Sequence, residues 1–369
     1  MIKQREDVKM KRALVCLLII ATVITIGFSA VSCQAAAVET TAAAETTAAA
    51  ETTAAVETTA AAETEPAVLQ PADMKIGFAN LFDGIDFCAW VKQSMQKYAD
   101  ENGVGELVSV DNKADGGLSI QNIDTLIAAG VHGIIQYMND AAVNVNVQDM
   151  CKAAGIPVIG IDIPVGDAPY CGGDNYQAGS ICGTELGKAA MEKWNGQVDL
   201  YISVETMSNL QTNTLRNGGI IDGIRSQIEL PDDKIVRVDA KDKMELAQSL
   251  VTDVLTAHPD AQHILIGCHQ DDETAGAFAA VEIAGRQDQV ILGGNGPFAS
   301  TLANFRLPEP NFWIGSTSFV PEKYGFYAIP LMINLIQGNS VQNNTYFEHY
   351  WLTWENCEEH YPAGEFVVK

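Results

Sequence analysis

The chain has 369 residues, of which 47% are hydrophobic and 19% charged, enough for two globular domains that each bury a core of their own. Its formal net charge is −25, which excludes nucleic acid and anionic lipid as partners held by surface charge.

The first residues read as an export signal. Lys3, Arg5, Lys9, Lys11 and Arg12 precede an apolar run from Ala13 to Phe28 that is too short to span a bilayer comfortably, and Ala30-Val31-Ser32-Cys33 follows. The five cations and two anions of this leader leave −28 for the remainder. Small residues before a cysteine resemble the lipobox of bacterial lipoproteins, which implies removal of 1–33 with lipid on Cys33; an ordinary secretory cleavage site with an incidental cysteine is the other reading. Residues 34–72 repeat Ala-Ala-Ala-Glu-Thr-Thr, with glutamates at 39, 45, 51, 57 and 63 and no aromatic residue. Such a segment has nothing to bury and reads as a solvated, self-repelling tether. Lipid, tether and folded domain together fit the outer face of a Gram-positive cytoplasmic membrane.

From Met74 the chain alternates short apolar runs with amphipathic ones. Met74–Ala79, Leu107–Val110, Gly133–Tyr137 and Val158–Ile161 read as strands; Phe87, Val91, Met95 and Tyr98 mark one helix face, and Ile120–Ala129 and Ala141–Ala154 read as further helices. After a loop rich in Gly, Pro and Asp, the alternation restarts with a long helix at Asn175–Trp194. Strands at Val198–Val204, Ile235–Val238, His263–Gly267 and Val290–Gly293 are separated by helices near 210–227, 243–257 and 271–284. A last strand and helix, Phe312–Ser318 and Tyr324–Gln337, lead into the aromatic-rich stretch Tyr346–Trp354. Repeated βα units imply parallel sheets with right-handed crossovers, hence an α/β fold of two doubly wound lobes. Asp162 ends the strand Val158–Ile161, where open parallel sheets bind ligands; it either accepts hydrogen bonds from a bound molecule or caps the next turn.

The order of several phrases resembles the type I periplasmic sugar-binding proteins, the ribose- and galactose-binding receptors of ABC transporters. The phrases are Asp86-Phe87, Leu126 to Ile135, Gly155-Ile156-Pro157-Val158 through Asp162, Gly173-Asp174-Asn175, Arg216-Asn217-Gly218-Gly219, Leu255 to Asp260, Gln270-Asp271-Asp272 and Gly294-Asn295-Gly296. The resemblance covers 74–369 and implies a multi-strand hinge, with the first lobe formed by 74–173 and about 320–344, and the second by about 174–319 and 345–369. It also implies ligand contacts: Phe87 stacking on a sugar ring, Asp162 accepting from paired hydroxyls, Arg216 gripping two oxygens, Gln270 and Gln136 as amides, and Asn295 where the family usually has an aspartate. Asp242 and Phe319 fall where other members place further contacts. Taken by themselves, Phe87 reads equally as a core residue, Arg216 as a surface ion pair and Gln136 as a solvated strand end. Asn209, Gln211 and Asn213 make the surroundings of Arg216 unusually polar. One departure stands out: Ile163 and Pro164 follow Asp162, where ribose-type receptors commonly have an arginine, leaving Lys113, Asp83 or His269 to compensate.

The expectation is a monomeric extracellular binding protein, not an enzyme, that takes a sugar or polyol to an ABC permease with no cofactor or metal; the alternative is a receptor presenting its ligand to a histidine kinase or chemoreceptor. No nucleophile elbow, phosphate loop or metal spacing is present: Gly293-Gly294-Asn295-Gly296 lacks GxGxxG spacing, and of His258, His263, Cys268 and His269 the first ends a helix and the second opens a strand. Cys88, Cys151, Cys171, Cys182, Cys268 and Cys357 read as buried small residues, with a Cys171–Cys182 disulfide left open.

Overall fold

The computed structural model of the protein describes residues 68–207 and 210–364, all within one unit, Thr64–Lys369. The leader, Cys33, the tether as far as 67 and Asn209 lie outside the described residues.

In the first lobe, β1 (Lys75–Asn80), β2 (Glu106–Asp111), β3 (Gly133–Gln136), β4 (Val158–Ile161) and β5 (Tyr170–Gly172) are accompanied by α1 (Asp86–Glu101), α2 (Gly116–Ala128) and α3 (Ala141–Ala154). In the second, α4 (Asn175–Trp194), β6 (Leu200–Glu205), α5 (Leu210–Gln227), β7 (Ile235–Asp239), α6 (Met244–Ala257), β8 (Ile264–Cys268), α7 (Asp271–Ala284), β9 (Val290–Gly296), α8 (Ala299–Phe305) and β10 (Trp313–Ser318) follow in turn. The chain then returns: α9 (Tyr324–Ile336) and β11 (Asn344–Tyr346) join the first lobe, and β12 (Tyr350–Leu352) and α10 (Cys357–His360) the second. The sheets run β11-β5-β4-β3-β1-β2 and β12-β10-β9-β8-β6-β7. All pairings are parallel except β12 on β10. The fold is therefore the expected pair of doubly wound α/β lobes, crossed three times by the chain, near 173–174, 319–323 and 347–349.

The central strands are apolar without alternation because helices cover both of their faces. β3, β4, β6, β8 and β9 are buried along their whole length. Local chemistry sets the boundaries of the helices. Asp115, Asp140 and Asp174 accept backbone N–H groups at the starts of α2, α3 and α4, and Gly155, at φ 71°, ends α3 in the left-handed conformation that a glycine adopts without strain. Sequence periodicity did not reveal β5, α8 or β11, which are three, seven and three residues long, too short to show a period.

One packing feature aims the site. Gly179, Gly183 and Gly187 stand one turn apart on α4 and let α5 approach until a Cβ on Gly179 would lie 1.9 Å from the Arg216 carbonyl oxygen, and one on Gly183 1.9 Å from that of Ile220. Arg216 is thereby fixed against the start of α4. The six cysteines within the described residues are all buried and free, so the open question of a Cys171–Cys182 bridge resolves to two separate thiols.

Candidate functional site

The residue immediately after a strand's carboxyl end recurs as a cavity wall. Tyr137 follows β3, Asp162 follows β4, Thr206 follows β6, His269 follows β8 and Phe319 follows β10. Together with Phe87, Asn175, Arg216, Asp242, Gln270, Asn295 and Phe298 they enclose a cavity of about 180 Å³ between the lobes. An engineered cavity of about 150 Å³ accepts benzene, so this one suits a molecule of a single ring. A larger hollow of about 960 Å³ opens around Phe278, Glu282 and Phe312, beside the amino ends of β9 and β10. Parallel sheets bind ligands at the other end, which makes the smaller cavity the candidate site.

Asp162 is held in a left-handed backbone conformation, φ 58°, with the Tyr324 hydroxyl 2.8 and 2.7 Å from its two oxygens. Burial pushes its carboxyl above the usual range; the Tyr324 and Tyr137 hydroxyls, the Gly173 N–H and the Arg216 charge pull it back. Arg216 is oriented from three sides. Its Nε and Nη2 donate to Asn175 Oδ1 at 3.1 and 2.6 Å, its Nη1 donates to the His269 carbonyl at 2.9 Å, and its guanidinium lies 4.3 Å from the centre of the Phe319 ring. Burial lowers its pKa from the ordinary value, against the raising effect of Asp162, Tyr324, Asp242 and Glu273.

Around Asp162 and Arg216 the polar groups are mostly acceptors. Asn295 donates through Nδ2 to the Cys268 carbonyl at 3.0 Å, while its buried Oδ1 has no partner, an acceptor waiting for a donor. His269 is driven well below its ordinary pKa by burial and by Arg216, so the ring is neutral; Nδ1, 2.9 Å from Asn217 Oδ1, is its donor and Nε2 its acceptor. Asp242, also left-handed at φ 57°, receives the Thr206 hydroxyl at 2.8 Å, and its own N–H reaches Thr206 Oγ1 and Glu273 Oε1, both at 3.2 Å. Gln270 spends its Oε1 on the Asp272 N–H at 2.7 Å, capping α7. Phe87 closes the apolar side, edge-on to Phe298 and Tyr324 at 6.0 and 5.7 Å between ring centres.

Seven residues singled out from the sequence, Phe87, Asp162, Arg216, Asp242, Gln270, Asn295 and Phe319, line this one cavity. Gln136 does not. Its amide nitrogen binds Ser119 Oγ and Asn144 Oδ1 at 3.0 and 3.2 Å beneath α2 and α3. Successive strand residues point to opposite faces, and the cavity side belongs to its neighbour Tyr137. Neither Lys113 nor Asp83 reaches the cavity: Asp83 pairs with Lys92 and Asn80. His269 and Ile163, noted for other reasons, do line it. Tyr137, Thr206, Thr212 and Phe298 were not singled out; for Tyr137 and Thr206 the signal lay in their place one residue past a parallel strand. Among the described residues no group of His, Cys, Asp and Glu is arranged to hold a metal, and no helix is long and apolar enough to cross a membrane.

Two parallel-sheet lobes with a polar, aromatic-walled cavity at their facing strand ends define a hinged binding protein of the type I periplasmic kind. Residues 76–340 match the family described as periplasmic binding protein domain, and the chain belongs to that family, whose members bind solutes and are not enzymes. It is 24% identical over 261 residues to the ribose import binding protein RbsB of Salmonella typhimurium, covering 69% of this chain and 82% of that one. Among solved structures it resembles an ABC transporter periplasmic solute binding protein from Actinobacillus succinogenes with bound D-allose, at a TM-score of 0.67 and 19% identity over 78% of this chain and 99% of that one. It also resembles the Caulobacter myo-inositol binding protein bound to myo-inositol, at a TM-score of 0.64 and 18% identity over 79% and 97%.

Proposed function

We propose that the protein captures a neutral sugar or polyol of one ring between its lobes and delivers it to the permease of an ABC importer. The observation that carries this is the composition of the cavity: two carboxylates, one oriented guanidinium, an unpartnered amide oxygen and the Phe87 ring around about 180 Å³. A ring hydroxyl both donates and accepts, so Asp162, Asp242 and Asn295 accept hydrogen bonds from it while Arg216 donates to its oxygens. Phe87 offers an aromatic surface to the C–H groups of the ring.

Closure follows from where these groups sit. Phe87 and Asp162 belong to the first lobe, and Arg216, Asp242, Gln270 and Asn295 to the second. A ligand touching both stabilises the closed arrangement by its differential affinity for it, and the closed pair of lobes is what the permease engages. We propose further that Cys33 carries the lipid, that residues 34–72 tether a monomeric receptor to the outer face of a Gram-positive cytoplasmic membrane, and that Ile163 leaves the site without an arginine at that position. Thermal-shift titration against pentoses, hexoses, polyols and inositols tests the reading. A true ligand at about a hundred times its Kd adds roughly 2.7 kcal/mol of stability. Asp162→Ala and Arg216→Ala abolish that gain. If sugars and polyols are all silent while another ligand class stabilises the protein, the reading fails.

A further inference from the structure

The site cavity does not end at its own walls. Asp162, Ile163, Asn175 and Thr212 also line a second, adjoining groove of about 710 Å³ that runs out between the lobes past Tyr170, Tyr176 and Tyr346. The lobes are not evenly parted. On the Phe87 side they already touch: Phe298 of the second lobe packs edge-on to Phe87 at 6.0 Å, and the Ala299 N–H favours the charged form of the Asp86 carboxylate of the first. On the tyrosine side the gap remains, so the groove is not the trace of a uniformly open cleft.

Its lining has the chemistry of a carbohydrate surface. Tyr346 of β11 and Tyr176 of α4, one from each lobe, are 54% and 45% exposed, and Leu215 of α5 is 42% exposed. Both rings are held in place: Tyr346 packs on Tyr170 at 5.8 Å between centres, and the Tyr176 hydroxyl donates to Asp222 at 3.0 Å. Fixed aromatic surface left facing water beside a polar cavity marks a place where something apolar on one face comes to lie. Asn139, Gln211 and Asn343, amides that each donate and accept, line the same groove.

We propose that the groove is a second subsite continuous with the first, and that the ligand is a two-unit carbohydrate, a disaccharide or a glycoside. One ring is enclosed by Phe87, Asp162 and Arg216, and the second unit lies along Tyr176 and Tyr346. The proposal rests on the sugar-binding reading above and extends it from a single ring to its substituent.

Calorimetric titration of the purified full chain tests it. The probes are D-ribose, L-arabinose, D-allose, D-glucose, D-galactose and myo-inositol, the methyl and phenyl glycosides of each sugar, and disaccharides that carry one of them at the non-reducing end. The expected result is that at least one two-unit probe binds about tenfold or more tighter than its parent monosaccharide. Tyr176→Ala and Tyr346→Ala should each weaken that probe roughly three- to tenfold while leaving the monosaccharide unchanged. Both tyrosines are surface residues whose loss leaves the core intact, and unaltered monosaccharide binding reports that each variant is folded. A monosaccharide that binds while its glycosides and disaccharides are excluded or bind no tighter overturns the second subsite and leaves the single-ring reading standing. Tighter two-unit binding that neither substitution disturbs also overturns it. Silence of both classes overturns the sugar-binding reading and this inference with it.

Discussion

Raising the pH through neutrality should destabilise this protein, and two carboxyl groups behind the site set the size of the effect. Glu273 is wholly buried; its Oε1 lies 2.7 Å from Thr206 Oγ1 and 3.2 Å from the Asp242 N–H, and its Oε2 has no partner. The Thr206 hydroxyl has one hydrogen and two carboxyl neighbours, Asp242 and Glu273, so both contacts are satisfied only when one of the two carries a proton and donates it, and burial favours the proton on Glu273. Burial first, and then the Asp242 charge, push Glu273 from 4.5 up to about 7, against the Thr206 hydroxyl. Asp271 is buried beside Ser316 and Thr301 and is pushed by burial from 3.8 up to about 7, against the same kind of hydroxyl donors. A carboxyl with a raised pKa holds in the folded state a proton that the unfolded chain releases. Its contribution is complete below the unfolded pKa near 4 and is lost as pH rises through about 7.

At about 1.4 kcal/mol per pH unit, the two groups contribute on the order of 3 and 4 kcal/mol. Asp162, Asp272 and Glu322, also raised chiefly by burial, act in the same direction. Asp167 and Glu358, lowered chiefly by Lys152 and by Arg306, are exposed and offset little. His269 and His349, lowered chiefly by burial, act the other way: their uncharged folded forms cost stability as pH falls below about 6.5, which offsets part of the carboxyl effect. At roughly 2 °C per kcal/mol for a chain of this size, Tm should fall by roughly 5 °C between pH 5 and 8 once the histidines are set against the carboxyls. Scanning calorimetry across that range measures it. Glu273→Gln keeps a neutral, hydrogen-bonding group at the position and should melt above the parent at pH 8, with a shallower pH dependence. A Tm that is flat or rises from pH 5 to 8, or a Glu273→Gln variant that follows the parent curve, refutes the assignment of a retained proton.

Gly183→Ala should cost about 1 to 3 kcal/mol by overpacking against the Ile220 carbonyl, and the shift of α5 should weaken ligand binding through Arg216; denaturant unfolding and calorimetric titration read the two effects. Asp162→Asn preserves the shape of the site but removes the charge facing Arg216, and should weaken ligand affinity by about tenfold or more, with Tm at pH 5 little changed. Burial pushes the thiols of Cys88 and Cys151 up to about 12 and 11, so the native protein should resist thiol-specific labelling at both until denaturant is added, as peptide mass mapping of the labelled chain would show. Reductant should leave the melting of the folded lobes unchanged, since their six cysteines are free.

Local chemistry carried most of the architecture. The runs Val158–Ile161 and Ile264–Cys268, apolar without alternation, require a sheet covered on both faces, and the βα alternation around them requires parallel strands. Asp162 was legible as a site candidate because its position at a strand's carboxyl end follows from the strand itself, whereas Asn295 came only from the family resemblance. Gln136 shows the limit of such a reading. It stands one residue before the cavity position, and a pleat that alternates faces sends its amide beneath the helices and Tyr137 to the site. Thr206 and Glu273 lie far apart in sequence, and only the pairing of β6 with β8, which brings the start of α7 beside the end of β6, puts one hydroxyl within reach of two carboxylates.

The sequence by itself determined that there are two lobes, which strands form them and which of their ends carries polar side chains, because these depend on periodicity and on residues adjacent in the chain. Only the tertiary structure decided that the lobes touch at Phe87 and Phe298 and part at Tyr176 and Tyr346, and that Arg216 is held by Asn175 and His269. The physical reason is that each of these contacts joins elements from different crossovers. Their geometry is set by how closely helices such as α4 and α5 pack, a distance that glycines permit but do not specify.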